Sequence, residues 1–85
     1  MSGDRRPIFK TLCDKHALSY AQVASEAELP EAIGRHLYEH HPMFVSDIDA
    51  LLAALSRMTG EQWNRRTVQV PPFLLNRPTE TAQIP

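Results

Sequence analysis

The side chains with the most chemistry to offer sit near the middle of the chain. His36 and His40 are four positions apart, the spacing that sets two imidazoles one helical turn from each other as metal ligands, with Glu39 and His41 beside them. No His-Glu-x-x-His pattern or cysteine pair completes a coordination shell. Cys13 and His16 are likewise a turn apart, but on a segment needed for the core. No metal site and no cofactor are expected. The histidines would make their segment more cationic in acid. Ser, His and Asp all occur, yet no spacing marks a nucleophile with its base. Three glycines form no phosphate-cradling loop. Catalysis is therefore not expected, and recognition is what the remaining side chains suit.

The elements that must position these groups read as short helices. Pro7 suits a first helical position, and Ile8, Phe9, Leu12, Cys13 and His16 share one face, so helix one is expected at about Pro7 to His16. Ser19 followed by Gln22 is a capping-box pattern opening helix two, about Ser19 to Ala27, with Tyr20, Val23, Ala24 and Ala27 inward. Its alanines permit close approach of another helix. Glu28-Leu29-Pro30 breaks the pattern. Helix three follows from about Pro30 to His40, with Ile33 and Leu37 as its apolar positions. Met43-Phe44-Val45 reads as an apolar link, packed down as a loop. Ser46 with Asp49 repeats the capping signature. Ile48, Leu51, Leu52, Leu55 and Met58 then form the strongest amphipathic stripe, helix four, about Ser46 to Met58. Gly60 can end that helix, or Thr59 with Gln62 can cap another. A short helix five, about Gly60 to Arg65, would bring Trp63 to the core. Thr67–Val70 alternates as a short extended segment would, and Pro71, Pro72, Pro78 and Pro85 exclude helix from the remainder. The tail is expected to be extended, or disordered by itself.

Eighty-five residues make one small domain of limited core. Its expected parts are a flexible basic arm at 1–6, a helical domain at 7–66 and a tail at 67–85. The single cysteine, Cys13, excludes an intrachain disulfide, reads as a small core residue and suits a cytoplasmic setting. The polar, basic start Met1–Arg6 is not followed by an apolar run, so no signal peptide is expected. No stretch is long and apolar enough for a membrane span, and no membrane partner is expected. Net charge is −1, unevenly spread: +2 over 1–17, −3 over 18–41, −1 over 42–60 and +1 over 61–85.

Leu18-Ser19, Val23-Ala24, Ala27, Leu29 and Leu37, followed by Ile48–Leu55 and Met58-Thr59-Gly60-Glu61-Gln62-Trp63, resemble the lambda-repressor-like (Xre/Cro) DNA-binding domain over roughly Pro7 to Trp63. The resemblance implies an all-α fold, a compact bundle of five short helices with an extended, Pro-rich C-terminal tail. Helices two and three would form a helix-turn-helix. Two positions depart from the family. Its turn usually has glycine, for a positive φ, where this chain has Glu28, and its third helix has a branched apolar residue where this chain has Gly34.

The resemblance also implies which residues would meet double-stranded DNA. Tyr20 and Gln22 lie at the start of helix two; Glu31, Ala32, Arg35, His36 and Glu39 lie on the outer face of helix three. Arg35 suits guanine, and Gln22 suits a phosphate or an adenine. Arg5 and Arg6 would form a basic arm across a groove or backbone. Glu31 and Glu39 would face a polyanion, and phosphate affinity rests on cations. In the tail, Val68, Val70, Phe73, Leu74 and Leu75 offer apolar area for docking on the domain itself, on a second copy or on a partner. The expected function is a small helix-turn-helix DNA-binding transcriptional regulator, bacterial or phage, acting as a homodimer. The alternative is a protein-interaction module, antitoxin-like or an adaptor, that uses the bundle and tail without strong DNA binding. Whether Arg5, Arg6, Arg35, Arg65 and Arg66 converge on one face separates the two.

Overall fold

A computed structural model describes residues 5–75 of the chain. The start of the basic arm and the end of the tail, with Pro78 and Pro85, lie outside the described residues. Within them, four helices and two short strands follow one another: α1 Phe9–Lys15, α2 Tyr20–Glu26, α3 Glu31–Tyr38, β1 Met43–Phe44, α4 Val45–Thr59 and β2 Phe73–Leu74. The chain is mostly helical but is not a five-helix bundle.

The first three helices stop the same way. After α1 the amide of Leu18 reaches the carbonyl of Cys13, and that of Ala17 reaches Asp14. After α2 the amides of Leu29 and Glu28 reach Ala24 and Ser25; after α3 those of His41 and His40 reach His36 and Leu37. This paired closure needs one left-handed residue, ordinarily glycine. Here Ala17 (φ 57°), Glu28 (φ 61°) and His40 (φ 63°) adopt it. The turn expected to need a positive φ at Glu28 has one, without the glycine. Leu18 and Leu29, just past two of these turns, fold down on the core. The start of α2 carries the expected capping box: Gln22 N donates to Ser19 Oγ at 3.1 Å and Ser19 N donates to Gln22 Oε1 at 2.8 Å. In contrast, α4 begins one residue before Ser46, with Phe44 at its N-cap and no side-chain cap.

The expected fifth helix is absent. Gly60, at φ 78°, ends α4. The two hydroxyls of the last turn of α4 then divert the chain that follows. Ser56 Oγ accepts from Trp63 N at 2.7 Å, while Thr59 Oγ1 accepts from Trp63 Nε1 at 3.1 Å. Trp63 still reaches the core, through a loop folded back on α4 and not on a helix of its own. Asn64 then makes a tight turn, its Oδ1 accepting from the amides of Arg66 and Thr67.

Of the tail, residues 67–75 lie within the described chain, and there it is built into the domain. Val68 is fully buried in the core with Phe9, Leu12, Cys13, Val23, Leu37, Ile48, Leu51, Leu52 and Leu55, and Pro71 is also buried. Gln69 N donates to Pro7 O at 2.8 Å, making a parallel bridge between Ile8 and Gln69. Next, β2 lies parallel to β1, with Met43 opposite Phe73 and Phe44 opposite Leu74. Parallel strands need a long crossover, and α4 with the loop after it supplies one. The segment expected to be a loop at Met43-Phe44-Val45 is thus a strand leading into α4. Proline cannot donate, but Pro72 O still accepts from Met43 N at 3.3 Å.

Among the described residues, no helix is long and apolar enough to cross a membrane.

Candidate functional site

The face of α3 is set by its crossing with α2. Gly34 is buried there, and a Cβ built on it would lie 2.6 Å from Tyr20 O and 3.0 Å from the Cβ of Ala24. Glycine is therefore required by close approach. Leu37 is buried beside it and Ile33 packs against the core, so Glu31, Ala32, Arg35 and Glu39 turn outward. His36 is half-buried. Tyr20 is also half-buried, its ring 5.3 Å from that of Tyr38. The Tyr38 hydroxyl donates to Asp14 Oδ1 at 3.0 Å, which ties α3 to α1. That bond stabilises the protonated phenol and raises its pKa.

Charge on this face is mixed. Arg57 Nε lies 3.0 Å from Glu26 Oε2, and Arg57 Nη2 donates to Glu26 O, so α4 neutralises the carboxylate that ends α2. Glu28, Glu31 and Glu39 remain exposed around an exposed Arg35 that makes no ion pair among the described residues. Gln22 is exposed, and its capping bond uses only the side-chain oxygen, leaving the amide N–H groups to donate elsewhere.

The expected imidazole pair is rearranged. α3 ends at Tyr38 and His40 turns left-handed, so His41, not His40, comes beside His36, with ring centroids 5.7 Å apart. His41 Nε2 lies 3.7 Å from Glu39 Oε1. Among the described residues no three His, Cys, Asp or Glu side chains gather to hold a metal ion.

The other candidates divide. Arg5 is exposed. The five arginines do not converge on one face, which is the arrangement that favours the interaction reading: Arg6 lies apart from the α3 face, its Nη1 donating to Arg65 O at 3.0 Å and approaching Arg66 O at 3.5 Å. Arg65 Nε is held by Asp49 Oδ1 at 2.7 Å, with its guanidinium 5.4 Å from the centre of the Phe73 ring. Together with Asn64, Arg66 and Val70 these side chains line an open cavity of about 660 Å³. This basic groove was hidden in the sequence because Arg6 lies some sixty residues from its neighbours. Its traces were the positive balance of both chain ends and the question whether Arg6, Arg65 and Arg66 converge. Of the apolar tail residues, Val68 is spent on the core and Val70 is half-buried against it. Phe73, Leu74 and Leu75 are exposed by 38%, 59% and 72%, rising along β2 and past its end.

Compared with family models, curated proteins and solved structures, the chain matches none.

Proposed function

We propose that the chain is a small DNA-binding regulator in which α2 and α3 act as a helix-turn-helix, with the outward face of α3 in the major groove. The observation that carries this reading is the turn itself. Glu28 takes the left-handed conformation that such a turn requires despite the cost to a non-glycine residue, and Gly34 lets α2 and α3 cross in close contact. Arg35 then stands exposed on α3 to reach a guanine edge, and Gln22 at the start of α2 has free amide donors for a phosphate. The neutralisation of Glu26 by Arg57 reduces the acidic excess near this face. A lambda-repressor-like relationship and a cytoplasmic location belong to the same reading. Selection from a random duplex pool, followed by anisotropy titration, tests it. A selected site should bind with an affinity that falls steeply with salt, and Arg35→Ala should weaken it by about 1–3 kcal/mol. Absence of duplex binding at low salt would end the proposal.

A second reading, as a protein-interaction module, is favoured by the exposed Phe73, Leu74 and Leu75. Sedimentation of the full chain with and without Leu75→Asp tests it for self-association. An unchanged monomer in both would remove a second copy as the occupant.

A further inference from the structure

The reading above leaves the imidazoles at the far end of α3 without a role. The His36 and His41 rings meet with centroids 5.7 Å apart, and Glu39 Oε1 lies 3.7 Å from His41 Nε2. The way α3 stops creates this pair. The amide of His41 reaches the carbonyl of His36, and the left-handed backbone of His40 turns residue 41 back along the helix. Histidine is the side chain whose charge ordinarily changes between about pH 5 and 8. Two imidazoles in contact resist holding two protons unless anions share their field. Glu39 is one such anion, and a phosphate backbone brings others. The carbonyl end of a helix also favours cations beside it.

Other titratable groups come from the elements packed against α3, which are α1, α2 and α4. Most are engaged elsewhere. Lys10 and Asp14 of α1 and Tyr20 of α2 gather on Tyr38. Glu26 of α2 is paired with Arg57 of α4, and Asp49 of α4 with Arg65. Cys13 of α1 and Asp47 of α4 are buried. At the end of α1, Lys15 is exposed and His16 is half-buried; Glu28 is exposed in the turn before α3. Glu39 is thus the carboxylate that meets the imidazole pair among the described residues.

We propose that His36 and His41 form a proton switch on duplex binding. DNA binds more tightly when the pair holds its protons, and bound DNA draws protons onto the pair in return. The inference rests on the reading of α3 as the DNA-facing helix. With the pair protonated, His41 offsets Glu39, and His36 adds to the positive charge of Arg35. As pH rises that charge is lost, and Glu31 and Glu39 then oppose the phosphates.

The test is anisotropy titration of the full chain with its selected duplex at about pH 5.5 and about pH 7.5, at one ionic strength. Titration calorimetry in two buffers of different ionisation enthalpy counts the protons taken up on binding. Affinity should be about tenfold or more higher at the acid pH, with net proton uptake between the two. In the double variant His36→Gln, His41→Gln the ratio of affinities should fall to about threefold or less, and proton uptake should fall with it. His40→Asn, which suits the left-handed backbone, should keep most of the ratio. Far-UV circular dichroism at both pH values checks that the variants are folded. Equal affinity at both pH values would overturn the proposal and leave DNA binding by α3 standing. A pH response that survives in the double variant, or is lost equally in His40→Asn, would also overturn it. Absence of duplex binding at either pH would end both.

Discussion

Gly34 of α3 lies directly under the backbone carbonyl of Tyr20 on α2, close enough that a Cβ at residue 34 would stand 2.6 Å from that oxygen. An alanine there gains helix propensity of about 1 kcal/mol but must push two backbones apart. The contact is with a main-chain atom, which cannot rotate away. Gly34→Ala should destabilise the protein by about 1–3 kcal/mol, read as a lower midpoint in urea unfolding. In the proposed reading it should also weaken duplex binding, because α3 would tilt.

Glu28 gives the opposite expectation. Its left-handed backbone costs a residue with a side chain roughly 1–2 kcal/mol, of which glycine recovers part after its own entropic cost. Glu28→Gly should raise stability by about 0.5–1 kcal/mol in chemical denaturation. It also removes a negative charge beside α3, so duplex affinity should rise at low salt and the gain should shrink as salt increases.

Val68 tests whether the tail belongs to the domain. It is fully buried among side chains of α1, α2, α3 and α4. Val68→Ala should cost about 2 kcal/mol, as cavity-forming substitutions do. Removing residues 67–85 should leave helices that melt without a cooperative transition, because the core would lose Val68 and Pro71 together. A truncated chain that unfolds as sharply as the full one would contradict this.

Cys13 gives a pH dependence. Burial, assisted by the charge of Asp14, pushes its thiol up from 9.0 to about 12. The folded chain therefore holds its proton where the unfolded chain has released it. Stability from this group is fully present below about pH 9 and is lost as pH rises towards 12. The raised Tyr38 phenol acts in the same direction. Urea unfolding of the protein and of Cys13→Ala should show the steeper alkaline decline in the protein that retains the thiol. At neutral pH, thiol reagents should label Cys13 only as fast as the fold opens.

The four helices were legible because each carries a 3.6-residue apolar rhythm, and α2 also carries its Ser19–Gln22 box. Their stop signals were less so, since Ala17, Glu28 and His40 take a conformation for which glycine is the usual marker. The fifth helix failed at Ser56 and Thr59. Hydroxyls in the last turn of a helix give no sequence sign that they will capture Trp63. Both strands are two residues long, too short for any alternation to register, and their pairing depends on where α4 delivers the chain. Gly34 looked like a departure from a family pattern and proved to be a packing requirement. On the α3 face, Glu31, Ala32, Arg35 and Glu39 are exposed as the resemblance implied, while His36, placed with them, is half-buried. The groove was not legible, since nothing local links Arg6 to Arg65 and Arg66.

The parallel pairing of β2 with β1 also sets a schedule. A ribosome makes α1 to α4 first, yet the valine that completes their core and the strand that clasps β1 come last. Until residue 74 is free of the ribosome the helices must wait with their apolar faces open, and contacts between distant parts of a chain form slowly. Completion of the core should thus be a late event in synthesis, seen as protease resistance gained only once residue 74 has emerged.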